Sequence, residues 1–522
     1  MLDDQALMGA VTRIVQRSER QEDPGKVIET YVDVGLLAQL ENNNHQIFYG
    51  RRGTGKTHVM RVLASRFAKD ARNTVVYVDC RMFGSTSQFS DFELSIPRRC
   101  LALFRDLFLA IHYGILEHIV DHPPERASDA FAEADELARL ITEPVTVAVP
   151  DRVTAAREEA AGERRSLDMS ASYAAHGPTV RGSGVRERSQ SVSEQQTSEY
   201  SVRSEDKVVF PELLRVLRRT LELAGTRLFL LIDEWSSLPV DIQPFLAEFL
   251  KRGLLPLSVA TLKIGALEYR CRFSDSVAGR QMGFELGADL STAPDLDDYF
   301  VYDRDPERIT STYADVLLKH LEADLPKDYL RDKHRIDSGD KLASRLFTER
   351  AVFAELSRAC EGVMRDLINI FTLAYFNAHR RGRSSIDKKA VLESARQWFE
   401  QDKAPHLDDR LQSVLRRIVD EVIGWRRARS FLLPRELERD PTVQRLFDAR
   451  VLHHMQRGYA DKDHPGIRYN IYAVDYGAYV DLIGTSKEPE TIRERAAGPD
   501  LLVPFDDKRS IRRIHLKKEF LA

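Results

Sequence analysis

The sequence predicts an α/β fold: a parallel sheet covered by helices on both faces, then an all-helical segment, then a C-terminal winged helix. Three observations predict it. Between residues 46 and 305, strand-sized apolar runs alternate with amphipathic helical stretches, the rhythm of a parallel sheet with crossover helices. A glycine-rich turn, Gly50–Thr57, stands between the first such strand and the first such helix. From about residue 306 to 401 the pattern is helical throughout.

Composition sets the outer bounds. The 522 residues are 43% hydrophobic and 30% charged, enough apolar material for about three or four structural units, which excludes wholesale disorder. The net charge of −4 makes the chain no polycation, so nucleic-acid contact must come from a local patch. Cys80, Cys100, Cys271 and Cys360 stand far apart, a pattern of reduced buried thiols and not of a disulfide framework or zinc site. MLDDQALMGA lacks the basic flank of a signal peptide, and no apolar run approaches the 18 residues of a membrane span. The expectation is a cytoplasmic protein with no membrane partner.

The elements follow in order. Residues 1–45 read as a polar, helical lead-in. Gln46–Tyr49 is a short strand, and Thr57–Phe67 places Val59, Met60, Val62, Leu63 and Phe67 on one broad helical face. Thr74–Val78 is a buried-type strand ending at Asp79, and Leu101–Val120 is a helix. Residues 121–206 interrupt the rhythm as a polar insertion. Helices are expected over 129–141 and 151–165. The stretch 166–206 holds ten serines and few large apolar residues, so a solvated, mobile segment is favoured. The alternation Leu167, Met169, Ala171, Tyr173 keeps paired strands open as the alternative. Phe210–Leu223 is a helix and Arg227–Ile232 a third strand. Leu257–Ala266 and Asp298–Val301 are the fourth and fifth. Residues 306–402 form the helical segment. In 403–485, a helix at Leu407–Ile423, a shorter one at Pro441–Ala449 and strands at Val451–Gln456 and Ile467–Val474 have the shape of a winged helix. Residues 486–522 end in a basic tail.

The strongest chemical signal is Gly50-Arg51-Arg52-Gly53-Thr54-Gly55-Lys56-Thr57, which fits G-x-x-x-x-G-K-[ST] in full. The glycines let the loop turn its backbone N–H groups inward around a phosphate. The helix that follows, with His58 in its first turn, points its positive end at the same anion. Lys56 supplies a mobile positive charge for the β- and γ-phosphates, and the Thr57 hydroxyl is placed to ligate Mg²⁺. The second signal is the apolar strand Leu228–Ile232 running into Asp233 and Glu234. Charge at a strand's buried end needs a partner, and a Mg²⁺–phosphate site supplies one. Asp233 is then a metal ligand, and Glu234 the base that orients and deprotonates the attacking water. ATP and Mg²⁺ are the cofactors these two motifs imply. The third signal is Gly362-Val363-Met364-Arg365 inside the helical segment.

In this order the three signals resemble the AAA+ ATPases, and a winged helix behind them is most similar to the origin-recognition and replication-initiator branch. The resemblance spans residues 25–480. It implies that 306–402 is a lid over the nucleotide, that Arg365 reaches the γ-phosphate as the sensor 2 arginine, and that ATP drives assembly into a homo-oligomer. The small polar residue such proteins carry at the end of the fourth strand is replaced here by Lys263–Arg270, with Glu268 and Arg270 as candidates for its role. An arginine there is more like the STAND signalling ATPases. Arg270, Arg272 and Arg280 are candidates for a finger given to a neighbouring subunit.

Outside these motifs the bland readings prevail. Ser236 and Ser237 have no His–Asp pair at useful spacing. His453 and His454 point to opposite faces of a strand and cannot share a metal. Residues 408–522 carry 22 Lys+Arg against 19 Asp+Glu, a mild excess. Arg426, Arg427, Arg435, Arg439 and Arg445, with Lys508–Lys518 as an auxiliary arm, form the expected patch for duplex DNA. Arg429 belongs to the same cluster, and Asp440, Asp448, Asp461 and Asp463 oppose it. The expected function is an ATP-hydrolysing switch working on DNA as initiator, loader or targeting ATPase. The alternatives are a STAND-like signalling ATPase that oligomerises on sensing a protein partner, in a role such as anti-phage defence, and a transposition-type regulator.

Overall fold

The computed structural model describes residues 1–15, 18–82, 84, 94–143, 145–150, 202–277, 279–460, 465–483, 485–489 and 514–521. They fall into two units, Met1–Thr142 with Phe210–Ala522, and Glu143–Val209. In the small unit, Val145–Pro150 pairs antiparallel with Val202–Lys207. The helix expected over 151–165, and residues 166–201 of the segment expected to be mobile, with its Leu167–Tyr173 alternation, lie outside the described residues.

The large unit is built on a parallel sheet of five strands: β1 (Gln46–Tyr49), β2 (Asn73–Asp79), β3 (Arg227–Asp233), β4 (Ala260–Ala266) and β5 (Ser291–Thr292). Their order is β2-β3-β4-β1-β5, every pair parallel. β3 and β4 are central and covered on both faces, which is why they read as unbroken apolar runs. Helix α2 (Lys56–Phe67) packs on the face carrying Val75, Phe229 and Leu231, where Phe67 stacks on Phe229 at 4.1 Å between centroids. Helix α3 (Ile96–Asp121) covers the other face. There a Cβ on Gly114 would stand 2.7 Å from Val76, so only glycine lets helix and strand approach this closely.

The expected fifth strand at Asp298–Val301 is instead a 3₁₀ turn over Leu296–Phe300. Asp295 accepts from Asp297 N–H at 3.0 Å and caps that turn, so the fifth strand is the two-residue β5 upstream. The lead-in does more than precede β1. Helix α1 (Gln5–Arg13) docks on the helical segment. Asp4 accepts from Tyr329 and His334, and Tyr375 Oη donates to Leu2 O at 2.8 Å.

Residues 306–402 are helical, with α4 (Pro306–Glu322), α5 (Arg350–Ala359) and α6 (Met364–Arg380) central. Behind them come helix α7 (Asp409–Val419), strand β6 (Ser430–Pro434), helix α8 (Pro441–Asp448) and a hairpin of β7 (Leu452–Ala460) and β8 (Arg468–Val474). The three strands form one antiparallel sheet in the order β6-β8-β7. The end of the tail is not a free arm. Leu432 N–H donates to Ile514 O at 2.7 Å, Leu516 N–H donates to Leu432 O at 3.0 Å, and Ile514, Leu516 and Leu521 are buried. Lys508–Arg513 lie outside the described residues. Among the described residues no helix is long and apolar enough to cross a membrane.

Candidate nucleotide site

The parallel strands all end at one sheet edge, so the loop after β1 and the carboxylates after β3 meet there. Gly53 and Gly55 hold φ of +85° and +103°, a region other residues enter only with strain. Gly55 is the N-cap of α2, directing the loop's amides and the helix N-terminus at one point. Lys56 Nζ donates to Gly50 O at 2.9 Å and Arg51 O at 3.0 Å, and Thr54 Oγ1 donates to Arg51 O at 2.8 Å. The lysine thus lies folded against carbonyls of its own loop, a position from which a phosphate competes for it.

Asp233 is fully buried at the end of β3. Its carboxylate accepts from Tyr77 Oη at 2.9 Å and Glu234 N–H at 2.8 Å. Burial pushes its carboxyl up, with Thr57 and Lys56 opposing. A Cβ on Gly265 of β4 would lie 3.1 Å from Asp233 Oδ1, so a larger side chain there would press on the carboxylate. Next to it, Glu234 sits at φ +54°, an uncommon conformation for a non-glycine residue, and its side chain lines the cleft.

The lid closes the opposite side. Gly362, at φ +83°, turns the chain into α6, and Arg365 N–H donates to Gly53 O at 3.0 Å. Loop and lid are in contact: a Cβ on Gly53 would approach Arg365 Cβ to 2.9 Å and Val363 Cγ1 to 3.0 Å. The resulting cleft encloses about 900 Å³ of empty space, its open mouth included, and Gly53–Thr57, His58, Glu234 and Arg365 all line it. That space suits a nucleotide.

The remaining wall was not legible as a site. It comes from the N-terminal segment (Tyr31, Val32, Val34) and from the lid (His320, Met364, Ile368). Its signal was present but ambiguous: Met364 and Ile368 share a helix face with the i, i+4 spacing of any core pair. His58 Nε2 donates to Val27 O at 2.6 Å, and burial lowers its imidazole to about 4, so it is neutral beside this apolar wall.

Other named residues lie elsewhere. Arg51 is buried against Asp297, with Nε 3.1 Å from Oδ2, and does not line the cleft. Gly50 and Arg52 line a smaller crevice beside Asp448. Arg270 Nε donates to Asp448 Oδ2 at 2.5 Å, and Glu268 is paired with Arg457 at 2.7 Å. Both candidates for the position after the fourth strand therefore engage the C-terminal sheet and its helix α8. Lys263 is buried at the other end of the sheet, donating to Asn44 O at 2.9 Å and Gln46 Oε1 at 2.5 Å. Arg429 is buried between Asp303 and Glu361, which removes it from any surface patch.

A phosphate loop, an apolar strand ending in Asp-Glu and a lid arginine on one cleft define a P-loop nucleotide-binding α/β protein of the AAA+ kind. The family model ORC-CDC6-like matches residues 17–349, and the chain belongs to that family. Similar solved structures include Cdc6p from Pyrobaculum aerophilum, 11% identical, covering 93% of this chain and 98% of that chain with a TM-score of 0.31. The Aeropyrum pernix ORC2 protein in ADPNP–ADP complexes is 11% identical, covering 95% and 99%, with a TM-score of 0.32. The Holliday junction branch migration motor RuvB of Thermotoga maritima is 11% identical, covering 92% and 98%, with a TM-score of 0.30. A comparison with curated proteins finds no match.

Proposed function

We propose that the chain is an ATP-binding and ATP-hydrolysing switch whose output is work on DNA. The observation that carries the nucleotide part is the convergence of Lys56, Thr57, Glu234 and Arg365, from three separate segments, on one cleft. The triphosphate lies along the loop, and Lys56 exchanges its two backbone carbonyls for phosphate oxygens. The Thr57 hydroxyl and the neighbouring Asp233 carboxylate are the oxygen donors that would hold a Mg²⁺ ion. A Mg²⁺ ion held by these two groups would supply positive charge to the phosphate oxygens. Glu234 orients a water and accepts its proton, and Arg365 offers its charge to the γ-phosphate from the lid. Loss of that phosphate removes what the lid arginine holds, which is how hydrolysis changes the lid or the assembly state.

Glu234→Gln tests the assignment. It keeps shape and removes the base, so nucleotide binding should persist while turnover falls by about a hundred-fold or more. Equal ATPase rates in variant and parent would remove Glu234 from this role.

Family membership supports the DNA part, together with the order helix, strand, helix, hairpin at the C-terminus, which we read as a winged helix. A signalling switch is the second reading. It is favoured by the docking of the C-terminal sheet and α8 on the nucleotide domain through Arg457–Glu268 and Arg270–Asp448.

A further inference from the structure

Arg51 occupies a variable position of the phosphate loop, yet three segments of the chain grip it. Its backbone N–H and its Nε face the Asp297 carboxylate, each 3.1 Å from Oδ2. Its Nη2 donates to Glu361 O at 2.8 Å, next to the Gly362 turn into the lid helix. Its Nη1 donates to His453 Nδ1 on β7 of the C-terminal sheet. Phe447 of α8 lies 5.8 Å from the guanidinium. Arg51 and His453 are 5% and 2% exposed, so water replaces none of these partners.

The chain of buried groups continues beyond the histidine. His453 Nε2 lies 2.9 Å from Asp475 Oδ2. Asp475 takes Lys403 at 2.5 Å, Lys403 takes Asp366 at 2.8 Å, and Asp366 takes Arg450 at 2.6 Å. Asp366 directly follows Arg365 on the lid. The imidazole is fixed by its neighbours: a guanidinium can only donate, so Nδ1 is the acceptor and Nε2 carries the hydrogen toward Asp475. Burial, and then the Arg51 charge, keep that ring neutral.

We propose that His453 is a positioning residue for the phosphate loop. It acts through Arg51 and makes the C-terminal sheet part of the machinery that sets nucleotide affinity. His453 does not line the cleft, but the Gly50 and Arg51 carbonyls that hold Lys56 belong to the segment it anchors. Coupling is reciprocal: whatever binds the C-terminal sheet and shifts His453 changes nucleotide affinity, and nucleotide changes the sheet by the same factor. This inference rests on the reading that the loop binds a nucleotide.

The test is ADP titration into the full chain by calorimetry. His453→Ala should weaken ADP by about ten-fold or more, the loss expected when a hydrogen bond to a charged group goes. His453→Asn, whose Oδ1 can take the place of Nδ1, should restore most of that affinity. Tyr476→Phe is the control. It removes a buried hydrogen bond from the same C-terminal region to Glu355 on α5, away from Arg51, and should lower the melting temperature with ADP affinity within two-fold of the parent. In the parent, which needs no substitution, ADP should slow amide hydrogen exchange across residues 452–456. His453→Ala binding ADP as the parent does, Tyr476→Phe weakening it equally, or exchange in 452–456 that ADP leaves unchanged would each overturn the proposal. A parent that binds no ADP would overturn the nucleotide reading itself, and this proposal with it.

Discussion

Arg365 shows what one residue type at one place can and cannot say. Its spacing from Gly362 marks a helix start, and the structure puts that start against Gly53 O. Arg365→Ala should leave ADP binding near the parent value and abolish the preference for ATP over ADP in assembly, read by light scattering. An unchanged ATP/ADP response would make it a packing residue of the lid. Arg51 and Arg270 are the counterexamples. Nothing in a loop motif distinguishes an arginine facing phosphate from one facing Asp297 and His453, because its partners lie about 250 and 400 residues away in the chain. That Gly53–Thr57 form a loop and Glu234 follows a buried strand end, both lining the cleft, was readable because loop geometry and a charged strand end are local demands.

At the scale of elements, the loop and the lid helix meet at Gly53. A methyl group there meets two side chains at about 3 Å, in backbone that L-residues avoid. Gly53→Ala should therefore push the lid off the loop and weaken ATP by about ten-fold or more while the sheet stays folded. Parental affinity in that variant would mean the lid contact is dispensable. The strands β1 to β4 and the helix after the loop were readable from apolar runs and periodicity. Strand β5 was not, since two residues carry no pattern, and Asp298–Val301 imitated a strand while Asp295 capped a turn. The tail read as a basic arm, but Ile514 and Leu516 add to the edge of β6, a pairing that only the folded sheet creates.

For the whole molecule, burial of Arg429 and the pairing of Arg445 with Asp408 and of Arg426 with Glu421 thin the expected DNA patch. Arg426, Arg435, Arg439 and Arg445 remain exposed. If these four meet phosphates, log K for duplex DNA should fall with log salt at about −0.9 per contact, roughly −3.5 in total, and Arg435→Ala with Arg439→Ala should flatten the slope by about two units. An unchanged slope in that double variant, or no binding at low salt with ATP, would favour the signalling reading. The α/β class with its parallel sheet was legible in the sequence, but the closing of the C-terminal sheet onto the phosphate loop was not, because it depends on buried charges that pair across the length of the chain.

The proposed switch depends on ATP being held between the phosphate loop and the lid. Calorimetric titration of ATP with Mg²⁺ into the full chain and into Lys56→Ala tests this most directly. Saturable binding by the parent, weakened by at least about a hundred-fold in Lys56→Ala, is the predicted result, because the triphosphate loses the positive charge that lines the cleft from the loop. Equal binding by Lys56→Ala, or no binding by the parent, would contradict it.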